Sequence, residues 1–566
     1  MQRFSSALLA TLTLASAACG GRQQVPDLGP ASWHSVFELV PADAAYALIL
    51  DPNAADEAFM LQTLAAQSTS PTSPYGILLQ DLNDQLGFDL ANPDSLRQSG
   101  IDLQGELAVF ATDITPIIVV KIADTEAWHA TVDRMIDMNP DLTVSDWELA
   151  GISMTRIIDG TQILDFGIFN GFLVARVQNE ERGFVLSDAD FVRMLAGPSG
   201  DDIRSSDVAT SVGSNLPQGA ELSTLFFMRT DAVNALVHQT LASDAFASVE
   251  AMDAMGITAV EAGGYSSAQQ QAACTDAVER IVVTWPFTVA WGHRVGDQRS
   301  FDGGMLMQFS EAGAERISRA FPGVVQDVAP LAAAAAIYAA GRIDAAELLN
   351  LFPPGEDLLE CPDLARLPAG IDALVSANRR TIDRNLRLFN GGGALAIFNL
   401  TPAGFSVDAD AAVMITSDNP ADYGEVIRRL LESNGFTGSV VAESAITTIN
   451  YDSFLFSLSM VLPNDRVVLH SGDLEPPFIN ALALNPEGVP GEPFFQFGIN
   501  SRTFETMYNS IVEYLEATGA MTPELSTSLA SSFASIFATE RMDVTGAFRN
   551  NAIVITSQTT PRSDAP

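Results

Sequence analysis

A short apolar run that leads into a helix cap recurs along this chain, and the recurrence limits the fold more than any other feature. Residues 44–50 form such a run; Asp51 then offers a side-chain acceptor to the next turn, and Pro52 suits its first position. The pattern returns at 117–122 with Asp124 or Thr125 as cap, at 225–228 with Thr230 or Asp231, and at 305–309 with Ser310. Further along it recurs at 332–339 before Asp344, at 412–415 before Asn419 and Pro420, and at 494–499 before Asn500 or Ser501. A last run at 553–556 closes the series. Apolar residues at helical spacing follow several caps, as Trp128 and Val132 do, which predicts amphipathic helices.

Longer stretches correspond as well. Gly105-Glu106-Leu107-Ala108-Val109-Phe110 resembles Gly393-Ala394-Leu395-Ala396-Ile397-Phe398. Residues 147–184 alternate strand-forming residues with turn pairs such as Asp159-Gly160 and Asn170-Gly171, and residues 440–469 are their counterpart. Adjacent hairpin strands suit these stretches better than parallel strands joined by crossovers. The expected fold is therefore α+β: two similar modules of mixed or antiparallel sheet with helices packed on one face. Residues 36–322 make the first module and residues 323–566 the second, a duplicate of the first.

The first nineteen residues read MQRFSSALLATLTLASAAC. A basic start, an apolar run too short to span a bilayer and a group of small residues make residues 1–18 a secretory signal peptide. Cys19 follows directly, as in a bacterial lipoprotein processing site, with Ser16 where leucine is usual. Cys19 is thus the expected lipid attachment site, and residues 19–35 are its tether to the folded body. Gly20 gives no reason for retention at the inner membrane, so the expected address is the cell envelope, as an outer-membrane lipoprotein facing either side.

Three short motifs carry a resemblance. Val40-Pro41-Ala42-Asp43-Ala44-Ala45-Tyr46-Ala47 opens the first module, Leu216-Pro217-Gln218-Gly219-Ala220-Glu221 varies it, and Ser99-Gly100-Ile101-Asp102 precedes the run at Gly105. Together they resemble a group of uncharacterised exported bacterial proteins. That group shares a proline–small–aspartate–small approach to a strand and a glycine–aliphatic–aspartate turn. The resemblance implies an envelope protein of unassigned activity and transfers no catalytic residue.

Formal net charge is −41, from 70 acidic and 29 basic residues, and Lys121 is the only lysine. Such a field repels nucleic acid and anionic lipid heads and permits a cationic partner. Salt screens the self-repulsion, which suits a saline habitat. At 47% hydrophobic residues the chain is no disordered acidic polymer.

Chemical candidates are sparse. His34, His129, His238, His293 and His470 form no HExxH pair, so no metal site is expected. Gly151-Ile152-Ser153-Met154-Thr155 and Gly264-Tyr265-Ser266-Ser267-Ala268 begin like a nucleophile elbow and lack its second glycine. Asp408 and Asp410 share one face of an expected strand, without the pattern of a calcium loop. Gly391-Gly392-Gly393 precedes a strand, the reverse of a phosphate cradle. Cys274 and Cys361 are either separate thiols or a disulfide tying the modules together. Arg379, Arg380, Arg384 and Arg387 form the densest basic cluster, read either as charge balance or as a partner contact.

These readings converge on a non-catalytic cell-envelope lipoprotein with a partner-binding or structural role. Its expected partners are the membrane, through the lipid on Cys19, and an unidentified envelope component. No nucleic acid, cofactor or metal is expected. An extracytoplasmic hydrolase and a small-ligand-binding lipoprotein are the alternatives.

Overall fold

The computed structural model describes residues 35–51, 97–102, 104–112, 115–140, 142–179, 185–197, 201–230, 285–294, 302–323, 334–344, 347, 392–403, 406–417, 419–443, 446–452, 457–462, 466–472, 492–537 and 539–562. The chain divides into two compact units, residues 1–268 with 278–299 and residues 269–277 with 300–566. Residues 302–320, placed by the sequence in the first module, belong to the second unit.

In the first unit helix α1 (Val36–Leu39) leads to strands β1 (Tyr46–Leu50), β2 (Leu107–Ala111) and β3 (Ile117–Lys121), then helix α2 (Thr125–Met138). Strands β4 (Thr143–Leu149), β5 (Ile152–Asp159), β6 (Gln162–Phe169) and β7 (Phe172–Asn179) form a meander. Helices α3 (Asp188–Leu195) and α4 (Asp207–Gly213) precede β8 (Glu221–Arg229) and β9 (Phe287–Arg294). Hydrogen bonding sets the order β4-β5-β6-β7-β3-β2-β1-β8-β9, with every neighbour antiparallel.

The second unit begins with β10 (Asp302–Gln308) and α5 (Glu311–Ala320). Strands β11 (Ile337–Arg342), β12 (Gly392–Ala403) and β13 (Ser406–Thr416) lead to helix α6 (Pro420–Ser433). A second meander, β14 (Thr437–Glu443), β15 (Ile446–Asp452), β16 (Ser457–Leu462) and β17 (Arg466–Ser471), precedes β18 (Pro493–Asn500). Helices α7 (Ser501–Ala517), α8 (Pro523–Ser532) and α9 (Ala534–Phe537) and the hairpin β19 (Thr539–Arg549) and β20 (Ala552–Pro561) complete the unit. The order is β14-β15-β16-β17-β13-β12-β11-β18-β19-β20-β10, again antiparallel throughout. From β14 to β19 it repeats the first unit's order with each strand ten places later.

The α+β expectation is corrected. Strands take 48% of the described residues and helices 30%, in mostly antiparallel sheet, and the class lies closer to all-β. Capped helix starts announce themselves locally and suggest one helix per strand. The hairpin partners are quieter: β19 (TERMDVTGAFR) has no continuous apolar run to announce it.

Local chemistry explains the elements that form. Asn170 and Gly171 hold φ of 54° and 78°, the twist a two-residue hairpin needs between β6 and β7. The Asp124 carboxylate accepts from the backbone N–H of Glu126 and Ala127 and starts α2. Asn419 caps α6 by accepting from Asp422 N–H. Helix α2 then covers Ile157, Phe166, Leu173 and Ala175, and α6 covers Ile449, Tyr451, Met460 and Val467. The Ile, Leu, Val, Phe and Met side chains among them contribute roughly 1.5–3 kcal/mol each when fully buried.

Candidate functional site

The most buried charges of the first unit meet on the meander face opposite α2. Asp165 on β6 is 0% exposed and Arg176 on β7 is 1% exposed. Arg156 donates to Asp165 Oδ1 through Nε at 2.6 Å and to Oδ2 through Nη2 at 2.9 Å. Arg176 Nε donates to Oδ2 at 3.0 Å, and Gln178 Nε2 donates to the same oxygen at 2.9 Å. The other Arg176 nitrogens reach the Leu186 carbonyl at 2.9 Å and the Asp188 carboxylate at the start of α3. Its guanidinium lies 5.0 Å from the Phe191 ring centroid, and that of Arg156 lies 4.9 Å from Trp147. Four donors therefore converge on one carboxylate, which is the geometry of a clamp joining β5, β6, β7 and α3. A general base instead keeps an open lone pair toward its substrate.

The register shows what occupies the same positions in the second unit. Arg156, Asp165 and Arg176 pair directly across three strands, and Arg176 pairs with Ile117. Asn450, Ser459, His470 and Ala412 stand in the same relation. Ile117 and Ala412 each lie seven residues before their helix cap. The carboxylate–guanidinium row of one unit is thus an Asn–Ser–His row in the other, where Ser459 donates to Asn450 at 2.9 Å.

Further along the row the contrast reverses. The first unit continues through Phe110, Ala47, Phe227 and Val289, all fully buried. The second continues through Ala396, Tyr338, Gly498 and Asp543. Small Ala47 beside large Phe227 becomes large Tyr338 beside Gly498, and a Cβ on Gly498 would stand 2.2 Å from the Tyr338 ring. Tyr338 Oη donates to Asp543 Oδ1 at 2.9 Å, and Arg541 Nη2 donates to the same oxygen at 2.7 Å. Burial, and then the Asp543 carboxylate, push the Tyr338 phenol up to about 12. That is a proton-holding phenol, unsuited to act as a base near neutral pH.

The motifs behind the family resemblance are structural joints. Gly100 has φ +88°, and its carbonyl accepts from Ala123 and Asp124 N–H at the start of α2. A Cβ there would stand 2.3 Å from the Asp124 carbonyl oxygen. Asp102 N–H donates to the Lys121 carbonyl, which ties the same turn to β3. In the opening motif, Arg229 at the end of β8 donates to the Ala42 and Ala44 carbonyls at 3.1 Å each.

Several sequence candidates fall outside the described residues: Cys19, Cys274, Cys361, Arg379, Arg380, Arg384 and Arg387, with His34 and His238 and the stretch 264–268. Gly151 and Ser153 lie in the β4–β5 hairpin and not at a strand-to-helix elbow. Asp408 and Asp410 lie on β13 opposite Thr401 and Asn399. His129 is on α2, His293 on β9 and His470 on β17. Among the described residues no group of three or more His, Cys, Asp or Glu side chains gathers as a metal site. The Asp165 and Tyr338 clusters were not anticipated. For the first the signal was present: Asp165 interrupts QILDFGIF and Arg176 interrupts FLVARVQN, single charges inside apolar strands.

No protein-family model, curated protein or solved structure matches this chain. No helix among the described residues is long and apolar enough to cross a membrane.

Proposed function

We propose that this protein is an exported, lipid-anchored component of the bacterial cell envelope that binds a partner or serves a structural role and turns over no substrate. The observation that carries this reading is the Asp165 carboxylate, which accepts four hydrogen bonds from Arg156, Arg176 and Gln178 and has no exposed surface. The strongest buried charge is spent on joining strands. The signal-like start before Cys19 and the resemblance to exported bacterial proteins support the address. Gly20 after Cys19, in place of an aspartate that can direct inner-membrane retention in some bacteria, supports an outer-membrane location.

Intact-mass analysis of the mature N-terminus, joined to activity profiling of the purified protein across hydrolase substrates, tests both halves. A lipid on Cys19 and no turnover are the expected results. An unmodified terminus near Ala18 would reject the anchor. Turnover that tracks the protein through purification would overturn the non-catalytic reading in favour of a hydrolase.

A further inference from the structure

β14 is the end strand of the second unit's order. It pairs with β15 over seven consecutive residues, Thr437↔Asp452 to Glu443↔Ile446, with no bulge. Among the described residues no other strand pairs with it. Residues 437–440 are all exposed, and Val440, at 68%, is the most exposed large apolar residue described. The strand reads TGSVVAE, without lysine or proline and with a single charge at its last position. Edge strands are ordinarily blunted by charges, proline or a bulge. β4 holds the corresponding place in the first unit and follows that rule: it carries Asp146 and Glu148, and Asp146 accepts from the Thr155 hydroxyl.

An open edge of this kind accepts another extended strand through main-chain hydrogen bonds. The sequence of β14 singles out the occupant. Turned antiparallel on a second copy of itself about Val440, it sets Thr437 against Glu443, Gly438 against Ala442 and Ser439 against Val441. No like charges then face each other, and the two Val440 side chains meet at the centre. The same operation on β4 sets Asp146 against Asp146, which is unfavourable.

We propose that β14 is a self-docking edge, through which two copies of this chain join antiparallel as a two-fold pair. The net charge of −41 on each copy opposes their approach, and salt relieves the repulsion. One strand edge is a small contact beside the roughly 1,200–2,000 Å² of a stable interface, so the pair is reversible.

Sedimentation velocity of the intact purified protein tests this from about 0.1 M to about 1 M salt, over which the screening length falls from about 10 Å to about 3 Å. The expected result is a monomer that shifts toward dimer as salt rises. Val440→Lys, tolerated because the side chain is in solvent, stays monomeric at every salt with an unchanged melting curve. Val440→Cys gives several-fold more dimer with a short bis-maleimide than the parent chain, whose own cysteines set the background. Val144→Cys on β4 gives no such excess. A monomer at all salt concentrations, a dimer indifferent to Val440→Lys, or equal cross-linking from Val144→Cys would overturn the proposal.

Discussion

Asp165 and Arg176 face each other across β6 and β7 almost without solvent. Removing Arg176 leaves Asp165 to Arg156 and Gln178 alone and takes the donor from the Leu186 carbonyl and the Asp188 carboxylate. Arg176→Met should therefore lower the first unit's stability by about 1.5–3 kcal/mol, the scale of lost hydrogen bonds to charged groups, measured by urea unfolding. Adding Asp165→Leu should cost less than the sum of the two single changes, because the two side chains bond each other within one cluster and each single change already breaks that bond. A loss below about 1 kcal/mol, the scale of a surface pair, would refute the clamp. Tyr338 makes a pH prediction. An unfolded tyrosine titrates near 10, whereas the folded phenol is held at about 12. The folded state thus keeps its proton while the unfolded state loses it, so this stabilisation is full below about pH 10 and disappears as pH rises toward about 12. Over that window the parent should lose on the order of 2–3 kcal/mol more stability than Tyr338→Phe. Parallel curves would show that burial does not hold the proton.

At the scale of elements the helix starts were legible and the hairpins only partly so. A cap needs one side-chain oxygen within three residues of the donors it satisfies, and both Asp124 and Asn419 stood out in the sequence. The meanders were visible through their turn residues, such as Asn170-Gly171. β11 was expected at 332–339 and lies at Ile337–Arg342, because an alanine-rich run carries no marker of register. Asp124→Ala should destabilise the first unit by about 1 kcal/mol. The loss should exceed that of Asn419→Ala, since Asp124 accepts from two N–H groups and Asn419 from one. Thermal unfolding of the two variants provides the comparison; equal or reversed losses would contradict the cap geometry.

For the whole molecule the governing quantity is charge. With −41 spread over the chain, compact units work against their own repulsion, and added salt should stabilise them. The calorimetric midpoint is expected to rise between about 0.1 M and about 1 M salt, the range in which screening shortens most relevantly. A flat or falling midpoint would mean that ion pairs such as Arg428 with Glu425 and Glu432 outweigh the net repulsion. The two units also share one strand order while exchanging where their polar groups sit. The exchange is volume-compensated at Ala47–Phe227 and Tyr338–Gly498, which lets the same backbone arrangement accept different chemistry.

By itself the sequence determined the acidic field, through its composition, and the capped helix starts and hairpin turns, because each cap and turn depends on residues that are near neighbours in the chain. Tertiary structure alone decided that antiparallel sheet dominates, that β7 docks on β3 and β8 on β1, and that Arg156, Asp165 and Arg176 meet on one row. The docking of β7 on β3 and of β8 on β1 depends on register between strands far apart in the chain, and the row on the combined register of two successive hairpins. Where no short turn joins the two strands, as between β7 and β3 or β8 and β1, a shift of one residue would turn every side chain of a strand to the other face, and nothing local specifies against it.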